Sequence, residues 1–175
     1  MWLHVGSGVA RRKGDDMKEL NLRQVTQDNW QEALSLTVHP DQQRFVAEHE
    51  PIAAIALSKA YIRLGGATWI PYAVYHGANM VGFVELAHWA DTPGQCWIFH
   101  FFIDQRYQGR GYGKAALERL IELVKRERVT CQSLLLVVHP ENHRAQRLYL
   151  GAGFRSTDAV RWGEPVYQLP LRGGP

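Results

Sequence analysis

The spacing of apolar residues changes several times along the chain, and each change separates a predicted strand from a predicted helix. Short runs that alternate in polarity, or that are apolar throughout, are typical of strands. Strands are predicted over 19–25, 72–75, 80–86, 96–103, 134–138, 154–161 and 165–171. Short turns inside 72–86 and inside 154–171 predict two β-hairpins. Because 134–138 is apolar throughout, we expect that strand to be buried on both faces.

Apolar residues at three- and four-residue spacing predict helices in four places. The helices run from a cap at Thr26 or Asp28 to His39, over 51–64, from the end of the glycine-rich stretch 104–114 onward, and between Pro140 and Gly151. In the first helix we expect Trp30, Leu34 and Leu36 on the buried side. Pro40 should end it, because the residue before a proline avoids helical angles.

No repeat or linker divides the chain, so we predict one mixed α/β domain over residues 17–175. Residues 1–16 have no sustained period, and their arginines follow a short apolar stretch instead of preceding it. A signal peptide has the opposite order. We therefore expect residues 1–16 to be a disordered leader, with Met17 as a possible natural start.

Composition excludes several classes of protein. The 175 residues are 46% hydrophobic, which is typical of a globular domain and not of a disordered chain. No apolar stretch approaches the ~20 residues of a membrane span, so no membrane association is expected. The pI is about 9.0, but the net charge is only +3 and the basic residues are scattered. This argues against a nucleic-acid partner. Two cysteines without a CxxC pair predict reduced thiols and a cytoplasmic protein.

A glycine-rich turn follows the predicted strand 96–103 and precedes a helix. Glycines at 109, 111 and 113 let several backbone N–H groups converge on a phosphate at the helix N-terminus. The turn lacks the spacing of a Walker loop or of a dinucleotide-binding motif. A purely structural turn is the alternative, but it needs one glycine and not three. The histidines at 139 and 143 lack the spacing of a zinc site, so no metal is expected.

The turn, Gln-Gly-Arg-Gly-Tyr-Gly at 108–113, resembles the Q/R-x-x-G-x-G/A signature of the GNAT superfamily of N-acetyltransferases. Downstream, Asn-x-x-Ala-x-x-Leu-Tyr at 142–149, followed by Gly-Phe at 153–154, resembles the second conserved block of that family. The resemblance covers residues 19–170. Within the superfamily, Phe-Phe-Ile-Asp-x-Arg-Tyr-Gln-Gly-x-Gly at 101–111 looks nearest to the diamine (spermine/spermidine) acetyltransferase branch.

The resemblance implies a central mixed sheet of about six to seven strands, flanked by about four helices. It also implies acetyl-CoA as the co-substrate. By this resemblance 101–103 would line the pantetheine, 108–114 would hold the pyrophosphate, and Asn142 would hydrogen-bond the pantetheine arm. Tyr149 would lie near the thioester sulfur as the general acid. The implied cofactor-binding residues are Phe101, Phe102, Ile103, Gln108, Gly109, Arg110, Gly111, Tyr112, Gly113, Lys114 and Asn142.

Acetyl transfer to an amine needs a base, because an alkylammonium with a pKa of about 10.4 is protonated at neutral pH. Glu85 or His100 can act as this base, directly or through water, and His100 can instead contact the substrate. The alternatives are a solvated Glu85 and a structural core histidine. A backbone N–H exposed at a β-bulge can stabilise the oxyanion. Tyr149 can protonate the leaving thiolate, or it can simply pack on the core.

The acceptor is a small primary amine, with a polyamine or diamine as one candidate. The polyamine branch often carries acidic residues just before its Phe-Phe pair, where this chain has Phe99 and His100. Glu48, Glu50 and Asp91, in loops that can border the site, are either substitutes for that charge or solvated surface residues. Loops 38–52 and 64–71 and the terminal hairpin are expected to shape the pocket.

Other functions stay open at this point. The acceptor can instead be an amino acid, another small amine or a protein N-terminus. The chain can also be a non-catalytic CoA-binding regulatory module. A homodimer is possible.

Overall fold

The fold of this protein was analysed in a computed structural model that describes residues 19–47 and 49–172. The predicted leader and Glu48 lie outside these ranges. The described chain forms seven strands and four α-helices. In chain order these are β1 (Leu20–Gln24), α1 (Trp30–Leu34), α2 (Ile52–Ile62), β2 (Thr68–His76), β3 (Asn79–His88), β4 (Gln95–Ile103), α3 (Tyr112–Glu127), β5 (Ser133–Val137), α4 (His143–Gly151), β6 (Arg155–Arg161) and β7 (Glu164–Pro170). Short 3-10 helices cover Pro40–Phe45, Leu64–Gly66 and Gln105–Tyr107.

All seven strands belong to one sheet with the order β1-β2-β3-β4-β5-β7-β6. Neighbouring strands are antiparallel except β4 and β5, which run parallel. The sheet separates two apolar layers. Helices α1 and α2 pack on one face, and helices α3 and α4 pack on the other. The predicted mixed α/β fold with a central mixed sheet is confirmed.

The parallel pair β4–β5 opens into a cleft. Its register consists of three residue pairs, which end at Trp97 opposite Leu135. Beyond this point β4 and β5 diverge, so the sheet is split between them. Each strand stays paired on its other side, β4 with β3 and β5 with β7. The split places backbone and side chains of both strands on the walls of a crevice at their carboxyl ends.

A β-bulge changes the direction of side chains in β4. Glu85 pairs with Phe99 and Phe83 pairs with Phe102, so two β4 residues lie opposite a single β3 residue. Inside the bulge His100 has a φ of +46°. Since a bulge adds one residue to the strand, Phe99 and His100 both reach contacts on the α2 side of the sheet, with Lys59 of α2. Without it, successive residues would point to opposite faces.

The predicted hairpins, the helix over 51–64 and the buried strand at 134–138 are all present, with boundaries shifted by a few residues. The first helix was predicted wrongly in its details. Leu36 is buried as predicted and Leu34 is half-buried, but Trp30 is 41% exposed, because Ala33 provides the buried contact of this short helix. Asn29 and not Thr26 or Asp28 is the N-cap residue.

The end of this first helix was also predicted wrongly. It stops at Leu34 and does not continue to His39. Pro40 then begins a 3-10 helix, a position that suits proline because the first turn of a helix leaves its N–H groups unbonded.

Candidate active site

Three cavities follow one another along the β4–β5 cleft. The first has a volume of about 550 Å³, the second about 600 Å³ and the third about 220 Å³. The first and second share wall residues that include Phe101, Asn142 and Tyr149. The second and third share Ile103 and Gln108. One extended ligand can therefore run from the glycine-rich turn, past the end of β4, to the carboxyl end of β5.

The third cavity is formed by the glycine-rich turn. Gly109 and Gly111 have φ values of +77° and +93°, a conformation that L side chains rarely adopt. A Cβ built on either glycine would meet no atom within 4 Å, so the backbone faces open space there. Gly111 is also the N-cap residue of α3, where unbonded N–H groups and the helix dipole favour an anion. The turn fits a phosphate-bearing ligand.

Side-chain hydrogen bonds fix the position of this turn. The amide nitrogen of Gln108 donates to the carbonyl oxygen of Ile103 at 2.9 Å, and Arg144 donates to the amide oxygen of Gln108 at 2.9 Å. Gln42, in the 3-10 helix Pro40–Phe45, makes two further hydrogen bonds with Gln108, one in each direction. Gln108 therefore connects the turn to β4, to α4 and to this 3-10 helix.

Tyr149 lies where the first and second cavities meet. Its ring contacts Phe101 and Phe154, at centroid distances of 6.4 and 5.6 Å. Its hydroxyl makes no hydrogen bond with any residue that the structure describes, and burial raises the pKa of Tyr149. The phenol is therefore protonated at neutral pH. Asn142 lines the same junction, and its side-chain oxygen caps α4 by accepting from the backbone N–H of Ala145 at 3.1 Å.

His100 lies on the wall of the first cavity within a network of hydrogen bonds. Its Nδ1 is 2.8 Å from the carbonyl oxygen of Val46, which can only accept, so Nδ1 carries the proton. Nε2 then accepts a hydrogen bond from Nζ of Lys59 at 2.8 Å. Burial, together with the charge of Lys59, lowers the pKa of His100 to about 4. The ring is therefore neutral at pH 7, and one tautomer is selected.

Glu85 lies behind His100. Its side chain is fully buried, and its Oε2 is 3.9 Å from Nε2 of His100. Neither carboxyl oxygen has a hydrogen-bond partner among the described residues. Burial raises the pKa of Glu85 to about 8, against a smaller opposing effect of the Lys59 charge. The solvated alternative for Glu85 is excluded, and a carboxyl group that titrates near neutral pH suits a general base.

Most of the predicted site residues lie together along the cleft. Of the predicted set, Arg110 and Glu85 do not line a cavity: the Arg110 guanidinium donates to the carbonyl oxygen of Arg106 at 3.1 Å, and Glu85 lies behind the wall. Of the predicted acidic substitutes, Glu50 accepts a hydrogen bond from Thr37 and Asp91 is exposed away from the cavities. Glu48 is outside the described residues.

Several wall residues were not identified from the sequence. They are Lys59, Val46, Arg144, Trp162 and Glu164. Arg144 occupies a variable position of the 142–149 motif, and no motif marks the others, because they come from α2, a loop and the terminal hairpin that only the fold brings to the cleft. The predicted role of loop 38–52 and of the terminal hairpin agrees with the lining of the first cavity, whereas no residue of 64–71 lines it.

The described residues contain neither a metal-binding cluster nor a membrane-spanning helix. No group of three or more His, Cys, Asp or Glu side chains is arranged to hold a metal ion. No helix in the described ranges is long and apolar enough to cross a membrane.

Comparison with known proteins identifies relatives over most of the chain. Residues 19–154 match the family described as "Acetyltransferase (GNAT) family". The spermine/spermidine N(1)-acetyltransferase of Bacillus subtilis (strain 168) is 30% identical over 141 residues, which is 78% of this chain and 88% of the relative.

Solved structures share the fold. The spermidine N-acetyltransferase of Vibrio cholerae, in complex with CoA and spermine, superposes with a TM-score of 0.70 at 16% identity, covering 88% of this chain and 96% of that one. An aminoglycoside acetyltransferase in complex with coenzyme A gives a TM-score of 0.69 at 18% identity, covering 86% and 94%.

Proposed function

Because the chain belongs to the GNAT family of acetyltransferases and is an acetyl-CoA-dependent N-acetyltransferase, we propose that its acceptor is a polyamine or diamine and that the β4–β5 cleft is its active site. The observation that carries the assignment of the site is the series of three cavities. It leads from the glycine-rich turn to a junction at Tyr149, and from there to a separate space lined by His100.

The shape of the cleft fits acetyl-CoA, which supplies an activated acetyl group as a thioester. The turn at 109–113 would hold the pyrophosphate, since its glycines leave the backbone N–H groups open to an anion. Phe101, Phe102 and Ile103 would line the pantetheine arm in the second cavity, and Asn142 would hydrogen-bond it. This arrangement would bring the thioester to Tyr149.

Groups around the first cavity would supply the base, the oxyanion donor and the acid of the reaction. The proton that leaves the acceptor ammonium would end on the Glu85 carboxylate through one water, because Glu85 lies behind the cavity wall and Nε2 of His100 already accepts a hydrogen bond from Lys59. A backbone N–H in the β4 bulge, where the extra residue lacks a ladder partner, would donate to the carbonyl oxygen of the acetyl group. The Tyr149 hydroxyl, protonated at neutral pH, gives its proton to the departing sulfur.

The acceptor proposal draws support from the spermine/spermidine N(1)-acetyltransferase relative. It is tested by measuring thiol release from acetyl-CoA with spermidine, a diamine, amino acids, an aminoglycoside and a peptide N-terminus. We expect kcat/KM for the polyamine to exceed that for the other acceptors at least ~10-fold, a difference of ~1.4 kcal/mol. Turnover confined to another amine would contradict the polyamine, and no thiol release with any amine would contradict catalysis.

The glycine-rich turn gives a second prediction. In Gly111→Ala a methyl group must adopt a φ near +93°, which is strained for an L residue by about 1–2 kcal/mol. The turn should relax away from its open form, so we expect the Kd for CoA to rise about 5- to 20-fold by isothermal titration calorimetry. Gly151→Ala, in the last turn of α4 and also in open space, is the control and should bind CoA like the parent.

The cellular setting and the assembly are also proposals. Cys96 and Cys131 are buried and make no disulfide, which supports a reducing, cytoplasmic location. A homodimer, and a single domain over residues 17–175, stay predictions from the sequence.

A further inference from the structure

The turn between β6 and β7 has an unusual residue for its geometry. Trp162 and Gly163 have φ values of +51° and +80°, and the flanking residues Arg161 and Glu164 pair directly across the hairpin. Two consecutive positive φ values are the pattern of a type I′ turn, whose first central position favours asparagine, aspartate or glycine. A bulky side chain in this conformation is an outlier, and such outliers cluster at functional sites.

Burial does not explain the tryptophan. Its side chain is 59% exposed, although its ring contacts Trp97 at 5.7 Å and Phe99 at 5.5 Å between centroids. Both Phe99 and Trp162 line the first cavity. The strained turn therefore holds an exposed indole against the wall of the space that lies beyond Tyr149.

The charges around this wall are distributed unevenly. Lys59 is hydrogen-bonded to His100, and Arg44 forms an ion pair with Glu141 at 2.8 Å. Arg161 lies over the ring of Trp162 at 4.7 Å. Glu164 lines the same cavity and, within the described part of the chain, forms no ion pair. Trp162 and Glu164 both line the first cavity, two positions apart on the same hairpin, and the contact with Arg161 shows that the indole ring attracts a positive charge.

We propose that Trp162 and Glu164 form the subsite for the distal ammonium of the acceptor, and so select amines with a second positive charge. This inference rests on the proposed function. An ammonium beside an indole ring and a carboxylate gains a cation–π contact and an ion pair. The reacting amine of the same molecule then extends toward His100 and Tyr149. The subsite takes the place of the acidic residues that are missing beside the Phe-Phe pair.

The test uses a substitution that favours the turn while removing the ring. Asparagine is preferred where Trp162 stands, so Trp162→Asn should keep or raise the melting temperature. For each variant we would measure kcat/KM with spermidine and with n-butylamine, and take the ratio of the two. We expect the ratio to fall at least ~10-fold in Trp162→Asn and ~3- to 10-fold in Glu164→Gln. Trp162→Phe should recover part of the loss.

Val160→Asn is the matched control, because Val160 is 68% exposed on the same hairpin and does not line the cavity. Its ratio should equal that of the parent. A ratio unchanged in both Trp162→Asn and Glu164→Gln would overturn the subsite, and so would a parent enzyme that shows no preference for spermidine. Failure of the proposed function is distinguishable, since the parent would then release no thiol with either amine.

Discussion

Tyr149→Phe should lower kcat by about 10²-fold or more while leaving the Kd for CoA nearly unchanged. The substitution removes the hydroxyl that would protonate the departing sulfur and keeps the ring that packs on Phe101 and Phe154. Because that hydroxyl has no hydrogen-bond partner among the described residues, the free energy of unfolding should change by less than about 1 kcal/mol. Thiol-release kinetics, calorimetric CoA binding and thermal unfolding measure the three quantities.

Tyr61→Phe is the control for this experiment, since Tyr61 is 89% exposed and lies at the end of α2 outside the cavities. It should behave like the parent in all three measurements. A Tyr149→Phe enzyme with the parent's kcat would exclude Tyr149 as the acid. Loss of CoA binding together with kcat would indicate that the tyrosine shapes the cofactor site instead of acting in the chemistry.

Glu85→Gln should reduce kcat/KM by about 10²- to 10³-fold, because it removes the proposed base without changing the size of the side chain. The parent should become more active as pH rises toward about 8, where the buried carboxyl group loses its proton. The variant should have low activity that rises only with the fraction of unprotonated amine and lacks the additional inflection near pH 8. Glu122→Gln, an exposed substitution on α3, should keep the parent's pH profile.

The same group makes folding depend on pH. Burial raises the pKa of Glu85 from 4.5 in the unfolded chain to about 8 in the folded one. The folded state therefore keeps a proton that the unfolded state releases between these values, and stability falls as pH rises through this range. At 1.36 kcal/mol per unit, this group would contribute a loss of about 4 kcal/mol by pH 8, and about 5 kcal/mol well above it.

Thermal unfolding of the parent and of Glu85→Gln between pH 5 and pH 9 measures this effect. The parent should lose stability relative to the variant across the range. Parallel curves would show that Glu85 does not titrate near neutral pH, and would remove the reason to prefer it over His100 as the base.

The local elements of this fold could be predicted because they follow from apolar spacing. The continuous apolar run at 134–138 became a strand buried on both faces, and the turn at 108–113 lies between a strand and a helix as expected. The prediction of the first helix was wrong because the helix has only five residues, too few to establish a spacing pattern. One exposed tryptophan was therefore assigned to the buried side, and one proline was taken as the end of the helix.

The candidate site could be predicted in part for the same reason. The residues predicted to bind the cofactor lie in two short stretches, 101–114 and 142–149, each continuous in sequence. A sequence motif can therefore identify them as a group. The acceptor side is assembled from distant elements. Lys59 and Val46 reach His100 across 41 and 54 positions. The bulge that turns His100 toward them is visible only as a register shift between β3 and β4.

A crystal structure of the protein with bound CoA would test the placement of the active site most directly. We expect the pyrophosphate on the backbone of residues 109–113, the pantetheine in the β4–β5 cleft, and the sulfur within about 4 Å of the Tyr149 hydroxyl. A CoA molecule bound outside the cleft would contradict this placement. So would a sulfur atom that is separated from Tyr149 by the width of a side chain or more.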